Sequence, residues 1–162
     1  LLDQDSDTEK PVIEPMIGAE MLGVRVLSQD KQTDIYLNLR ADGRRMHRNS
    51  NHTMDGWETD AIVVAMTRPS GADAAAPDSL EHTFIGGGSY LRRDGTVLFD
   101  SLSKAFASWR TTGSERLVIL QGQPRMNAEL RVGDEPERII CNGKTVPFTY
   151  NKSRKSVRLA VY

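Results

Sequence analysis

The stretch Ile139-Ile140-Cys141-Asn142-Gly143-Lys144-Thr145-Val146 decides the fold class of this 162-residue chain. Both central positions of a type I′ turn require positive φ, which Asn and Gly adopt readily, so Asn142-Gly143 predicts a tight β-hairpin. Beyond it, apolar residues recur at every second position as far as Val161, interrupted only by turn residues. A two-residue period is typical of strands, so this part of the chain is predicted to be consecutive β-strands.

Upstream, residues 20–28 and 33–40 also place apolar side chains at alternate positions, and residues 29–32 join them. This pattern predicts a strand, a turn and a second strand. Because alternate side chains of a strand project to opposite faces, Ile35, Leu37 and Leu39 are predicted to face the core. Asn38 and Arg40 are predicted to face the other side.

The middle of the chain continues the β pattern. Residues 57–66 are rich in β-branched side chains and predict a strand whose C-terminal half is buried on both faces. Residues 80–85 alternate and run into Gly86-Gly87-Gly88, which predicts a β-bulge or a close approach of two backbone segments. Residues 105–112 and 115–120 predict a further hairpin around Gly113.

These elements predict an all-β fold, an antiparallel β-sandwich of about ten strands over residues 19–162, with at most one short helix at residues 100–107. Residues 1–18 are acidic, contain Pro11 and Pro15 and lack apolar periodicity. They are predicted to be a linker.

Composition excludes several function classes. A net charge of −1 gives no overall attraction to nucleic acid, and no segment approaches the roughly 20 apolar residues of a membrane helix. The single cysteine, Cys141, allows no internal disulfide or cysteine-clustered zinc site, and it is predicted to be a small core residue. No cofactor or metal is predicted.

The densest polar segment is residues 47–60, which contains His47, His52, three carboxylates and Trp57. Histidine and carboxylate together can hold a metal or transfer protons, but the spacing matches no metal-binding pattern. Two interpretations stay open, a binding loop and a solvated loop with Trp57 as a core anchor.

Four aromatic residues, Tyr36, Trp57, Tyr90 and Trp109, are candidates for stacking against sugar rings. The alternative for each is packing inside the sandwich.

Other catalytic patterns are weak. The glycine run lacks the Lys-Ser/Thr of a phosphate-binding loop. Ser101 and Ser103 lie in no Gly-x-Ser-x-Gly setting, which argues against a serine hydrolase. Nothing in the sequence places two carboxylates at the separation that a glycosidase needs.

The closing segment, residues 139–150, resembles the hairpin of β-sandwich domains at the C-terminal end of polysaccharide-active enzymes. Residues 57–61, 88–95 and 98–101 resemble the C-terminal β region of heparinase II/III-like polysaccharide lyases. The resemblance implies an accessory or cleft-lining domain of a bacterial, secreted or periplasmic enzyme. Its partner would be a helical catalytic domain of the same polypeptide or complex, with a polysaccharide as substrate.

The resemblance also implies which residues would meet that substrate. His52 is the candidate for a catalytic contact, and the substrate-binding candidates are His47, His52, Trp57, Tyr90 and Trp109.

Three functional hypotheses follow, and they differ in what they predict of the surface. An accessory domain would expose an apolar patch where its partner docks. An independent carbohydrate-binding module would expose at least two of its large aromatic rings side by side. An immunoglobulin-like interaction domain would bury Trp57 and Trp109.

Overall fold

The computed structural model describes residues 10–18, 21–39, 52–54, 56–73 and 76–161, and for residues 52–54 and 161 the description covers the backbone. Within these ranges the chain forms strands and one short 3-10 turn, Pro77–Ser79, which confirms the predicted all-β class. The strands are β1 Val12–Ile17, β2 Met21–Leu27, β3 Lys31–Asn38, β4 His52–Met54, β5 Trp57–Thr59, β6 Val63–Pro69, β7 His82–Arg93, β8 Thr96–Thr112, β9 Glu115–Gln121, β10 Met126–Arg131, β11 Arg138–Cys141, β12 Lys144–Thr145, β13 Phe148–Asn151 and β14 Ser156–Val161.

Two long strands fold the sheet over on itself. Phe99 and Trp109 both belong to β8, yet their ring centroids lie 6.1 Å apart. Ten residues of a straight strand would span roughly 33 Å, so β8 must bend sharply between these two rings. The two halves of β8 therefore contribute to facing layers of one hydrophobic core, as in a sandwich.

The first layer has the strand order β1-β2-β3-β6-β7-β8-β9, and β11 continues it by pairing parallel to β9. The second layer has the order β4-β5-β7-β8-β10-β14-β13. The described pairs other than β9–β11 are antiparallel. β7 and β8 are thus shared by both layers.

The corner of β7 is built by the glycine run and by Asp60. The register of β7 against β8 shifts between Gly86 and Gly88, which confirms the predicted bulge. A Cβ atom on Gly88 would lie 2.6 Å from the Cβ atom of Ala61, so the close backbone approach also requires glycine.

The carboxylate of Asp60 is fully buried beside this bulge. It accepts hydrogen bonds from the Ser89 backbone N–H at 2.6 Å, the Ser89 hydroxyl at 2.7 Å and the Tyr90 backbone N–H at 3.3 Å. The Asp60 side chain thereby satisfies the N–H groups of Ser89 and Tyr90, which lie where the strand pairing is interrupted.

The terminal hairpin forms as predicted. Asn142 and Gly143 have φ values of 50° and 78°, as a type I′ turn requires. The Asn142 side chain also accepts from the Leu120 backbone N–H and donates to the Leu120 carbonyl, at 3.0 and 2.9 Å. The hairpin is therefore tied to β9, and Cys141 is buried in the core as predicted.

Three sequence predictions of secondary structure are wrong. Residues 57–66 do not form one strand, because β5 pairs with the C-terminal half of β7 and β6 pairs with the N-terminal half. Residues 100–107 form no helix but the middle of β8, because Asp100 pairs with Tyr90 of β7 on one side and with Glu129 of β10 on the other. Pairing on both sides overrides local helix propensity. Part of the predicted linker is the strand β1, whose Pro15 is tolerated because β1 lies at the end of the strand order.

The predicted orientation of β3 is also wrong. Asp34, Tyr36 and Asn38 are buried, whereas Leu37 and Leu39 are 47% and 57% exposed. Arg40 lies outside the described residues.

A buried ion cluster makes this orientation possible. Asp34 accepts from Arg25 Nε at 2.7 Å, from Arg68 Nη2 at 2.5 Å and from Gln32 Nε2 at 3.0 Å. Burial raises the pKa of Asp34, but the bonds from Arg25 and Gln32 and the charge of Arg68 outweigh it and hold the pKa below its ordinary value.

Replacing Asp60 by Ala should destabilise the domain by about 3 kcal/mol, because three buried donors lose a charged acceptor. Urea denaturation of Asp60→Ala and of the exposed control Asp30→Ala measures this difference. Equal stability of the two variants would contradict the assigned role.

Acid should remove the contribution of Asp34. Its folded-state pKa is lower than the 3.8 of an ordinary aspartate, so its stabilisation is complete above that value and is lost as the pH falls through the folded pKa. Asp34→Asn should unfold more easily than the wild type at about pH 6, and the gap should narrow below about pH 4. A gap that stays constant down to about pH 2 would refute the ion cluster.

Candidate functional site

The four aromatic residues predicted to stack against sugar rings do not form an exposed platform. Tyr36 is 0% exposed, Trp57 1%, Trp109 6% and Tyr90 7%. Trp109 stacks on Phe99 and donates its indole N–H to the Arg131 carbonyl at 3.1 Å. The structure therefore assigns these rings to packing and offers none of them as an open stacking face.

The polar segment 47–60 is described in part. His47 lies outside the described residues, and His52 is placed by its backbone in β4, opposite Thr59. Trp57 is a core anchor, as one of the two interpretations expected, and the Arg93 guanidinium lies 5.3 Å from the centroid of its ring. Of the other candidates, Tyr90 lies in β7 and Trp109 in β8.

One outer surface of the first layer is apolar across seven strands. Directly paired residues of neighbouring strands project from the same side of a sheet, so the register defines rows of side chains that cross the strands. The first row consists of Ile17, Leu22, Leu37, Val63, Gly86, Phe106 and Gln121. The second row consists of Pro15, Val24, Ile35, Ala65, Phe84, Ser108 and Ile119. We call these two rows the outer apolar face.

Large side chains of the outer apolar face are open to solvent. Ile17 is 82% exposed, Phe106 53% and Ile119 56%. A third row borders the face and consists of Ile13, Val26, Thr33, Thr67, His82, Arg110 and Leu117. Together the three rows extend roughly 30 Å across the strands and 13 Å along them, or roughly 400 Å². A standard interface buries about 800 Å² of each partner, with an apolar centre inside a polar rim. The face has the size and chemistry of such a centre.

The bordering row supplies charge. It contains His82 and Arg110, which are paired with one another across β7 and β8. Burial and the charge of Arg110 lower the pKa of His82, and its Nε2 lies 2.8 Å from the Ser108 hydroxyl. Arg110 is therefore the charge that persists at neutral pH, and a complementary surface would place an acidic group against it.

Sequence alternation alone could not identify this face, because it does not say which of two faces is inside. The sequence of β6 does indicate the outer apolar face, because Val63 and Ala65 alternate with Val64 and Met66 and make both sides of the strand apolar. The sequence predicted burial on both faces of this strand. In the structure Val64 and Met66 are fully buried, and Val63 and Ala65 are half-buried on the outer apolar face.

A polar cleft of about 260 Å³ lies at one end of the sandwich, next to Trp109. Its ionic groups are engaged with one another: Asp78 accepts from Arg131 and Lys155 at 2.8 and 2.9 Å. Arg116 donates to backbone carbonyls, including two bonds to that of Val132. The cleft is held together by its own side chains.

Among the described residues, no three His, Cys, Asp or Glu side chains are grouped so that they could hold a metal ion. A search for membrane spans over the same residues gives no helix of sufficient length and apolarity. Comparison with family models and with curated proteins gives no match to this chain.

Neighbouring residues of β3 provide a direct test of the two faces. Tyr36→Ala should cost about 3–5 kcal/mol of stability, because it opens a core cavity. Leu37→Ala should cost less than about 1 kcal/mol, because half of that side chain is already in water. Chemical denaturation of both variants measures the contrast, and a larger loss for Leu37→Ala would show that the faces are reversed.

Proposed function

We propose that this chain is an accessory β-sandwich domain of a bacterial polysaccharide-degrading enzyme, and that the outer apolar face packs against the catalytic domain of that enzyme. The observation that carries the proposal is the outer apolar face, whose two central rows hold no charged side chain. Burying the face together with its bordering row would remove roughly 400 Å² of largely apolar surface from water, worth on the order of 10 kcal/mol before the costs of association.

The chemistry of the outer apolar face indicates what kind of surface its partner would present. Its surface would be apolar and uncharged at the centre, with a carboxylate near Arg110 at the border. The resemblance of residues 57–61, 88–95 and 98–101 to the β region of heparinase II/III-like lyases supports a helical catalytic domain as that partner. It also supports a polysaccharide as substrate and a secreted or periplasmic location.

A carbohydrate-binding module that stacks sugars on aromatic rings is less well supported. The four rings that would form its platform are buried.

The test separates the domain from its partner. The full polypeptide of the gene is produced as two parts, this chain and the remainder, and their association is measured by sedimentation velocity. Leu37→Glu combined with Ile119→Glu should weaken association at least about tenfold, since each buries a charge in an apolar contact. The rate of β-elimination from a uronate-containing polysaccharide, followed by absorbance of the unsaturated product, should fall in parallel.

Val12→Glu is the matched control, because Val12 is 56% exposed and lies on the opposite side of β1. It should leave association unchanged. Dimerisation of this chain through the same face would overturn the proposal in favour of a second copy as the partner. Association that is insensitive to the double substitution would overturn the docking surface itself.

A further inference from the structure

The polar cleft beside Trp109 is bounded on one side by a short connecting segment. Residues 76–80, which we call the strap, include the 3-10 turn Pro77–Ser79. Three residues of the strap line the cleft, namely Pro77, Asp78 and Leu80. Three almost fully buried residues of the strands line it as well, namely Thr83, Leu98 and Trp109. The strap is therefore one wall of a cleft whose opposite lining belongs to the sheet.

The strap keeps its own shape through local hydrogen bonds. The Ser79 N–H and the Ser79 hydroxyl both donate to the Ala76 carbonyl, at 3.1 and 2.8 Å. Bonding to the sheet starts after the strap, where the Glu81 N–H donates to the Thr67 carbonyl at 2.9 Å. Glu81 is therefore the point at which this end of the strap is joined to the sheet.

One carboxylate ties the strap to two distant parts of the chain. Asp78 accepts from Arg131 Nε at 2.8 Å and from Lys155 Nζ at 2.9 Å, and these cations lie in β10 and in the turn before β14. The bond from Arg131 has the largest effect on the pKa of Asp78, and together with that from Lys155 it outweighs burial and holds the pKa below its ordinary value. The carboxylate is therefore ionised at neutral pH. We call these three residues the latch.

Both cations of the latch have attachments outside the strap. The carbonyl of Lys155 accepts from the Val132 N–H at 2.9 Å, with Lys155 at a φ of 50°. The guanidinium of Arg131 also donates to the Arg154 carbonyl at 2.8 Å. These attachments remain when Asp78 leaves, so the cations stay in place for it to return.

The latch is open to water. The Asp78 and Lys155 side chains are 43% and 48% exposed. An exposed ion pair contributes little to stability and is screened by salt. Leu80, next to the point of attachment, adds a half-buried apolar contact with the core. The position of the turn Pro77–Ser79 therefore depends on a contact that is easily broken.

We propose that the strap is a gate, which the latch holds closed over the cleft and which opens when Asp78 separates from Arg131 and Lys155. Opening moves the turn Pro77–Ser79 away from the cleft while the sheet stays folded. Solvent and small molecules then reach the Trp109 side of the cleft. The gate is built from this chain alone, so it goes beyond the proposed function and does not depend on a partner domain.

Fluorine NMR of the 162-residue chain labelled with 5-fluorotryptophan tests the gate. The sequence holds two tryptophans, so Trp109 reports on the cleft and Trp57, which is fully buried, is the reference in the core. Trp109→Phe assigns the two signals. A dissolved neutral gadolinium chelate measures the accessibility of each ring, because it relaxes the fluorine nuclei that it can approach.

Asp78→Asn should raise the relaxation of the Trp109 signal about threefold, since losing an exposed ion pair shifts such an equilibrium by a factor of roughly two to five. The Trp57 signal should stay unchanged. Salt at about 1 M should raise the Trp109 relaxation of the wild type toward the value of the variant, because it screens the latch. The variant itself should respond little to salt.

Glu58→Gln is the matched control, because it removes the carboxylate of an ion pair with Arg92 at 2.7 Å, and neither residue lines the cleft. It should leave the Trp109 relaxation unchanged. The gate is refuted if Asp78→Asn has no effect on Trp109 or if Glu58→Gln has the same effect. It is equally refuted by a parallel increase at Trp57 and Trp109, which would indicate loosening of the whole domain.

Discussion

The carboxylate of Asp60 is the constraint on which the two-layer architecture depends. β7 leaves one layer and enters the other within a few residues. Such a turn leaves buried backbone N–H groups without a partner in the strand pairing, and water cannot reach them. Asp60 satisfies the Ser89 and Tyr90 N–H groups there, and the neighbouring Thr59 hydroxyl donates to the Tyr90 carbonyl at 2.6 Å. A short loop thus fixes the angle between the layers, and with it the directions in which the two outer surfaces face.

The two outer surfaces differ in polarity because the two layers direct their charged side chains to different sides of the sheet. In the first layer the inner side carries Asp34 and Arg68, whose charges neutralise one another away from water. The two central rows of the outer side are apolar. In the second layer the inner side holds Leu130 and Leu159, both almost fully buried, and charges lie outside. An ion cluster in the core is an expensive arrangement.

The limits of sequence reasoning follow from the same residues. Asn142-Gly143, the glycine run and the alternating strands were predictable, because each depends on local φ values or on a two-residue period. The inward face of β3 was not, because Asp34 becomes a tolerable core residue only beside Arg25 and Arg68. The helix predicted at residues 100–107 was wrong because pairing with β7 and β10 is a long-range effect.

The position of β10 has a consequence for the order of folding. This strand lies between β8 and β14, so during synthesis one of its edges stays open until residues 156–161 have been made. An open edge of this kind is a template for pairing with another chain, and non-local pairing is slow to form. β14 closes this edge of β10 when it pairs with it. The nascent domain is most vulnerable to aggregation in the interval before this strand is in place.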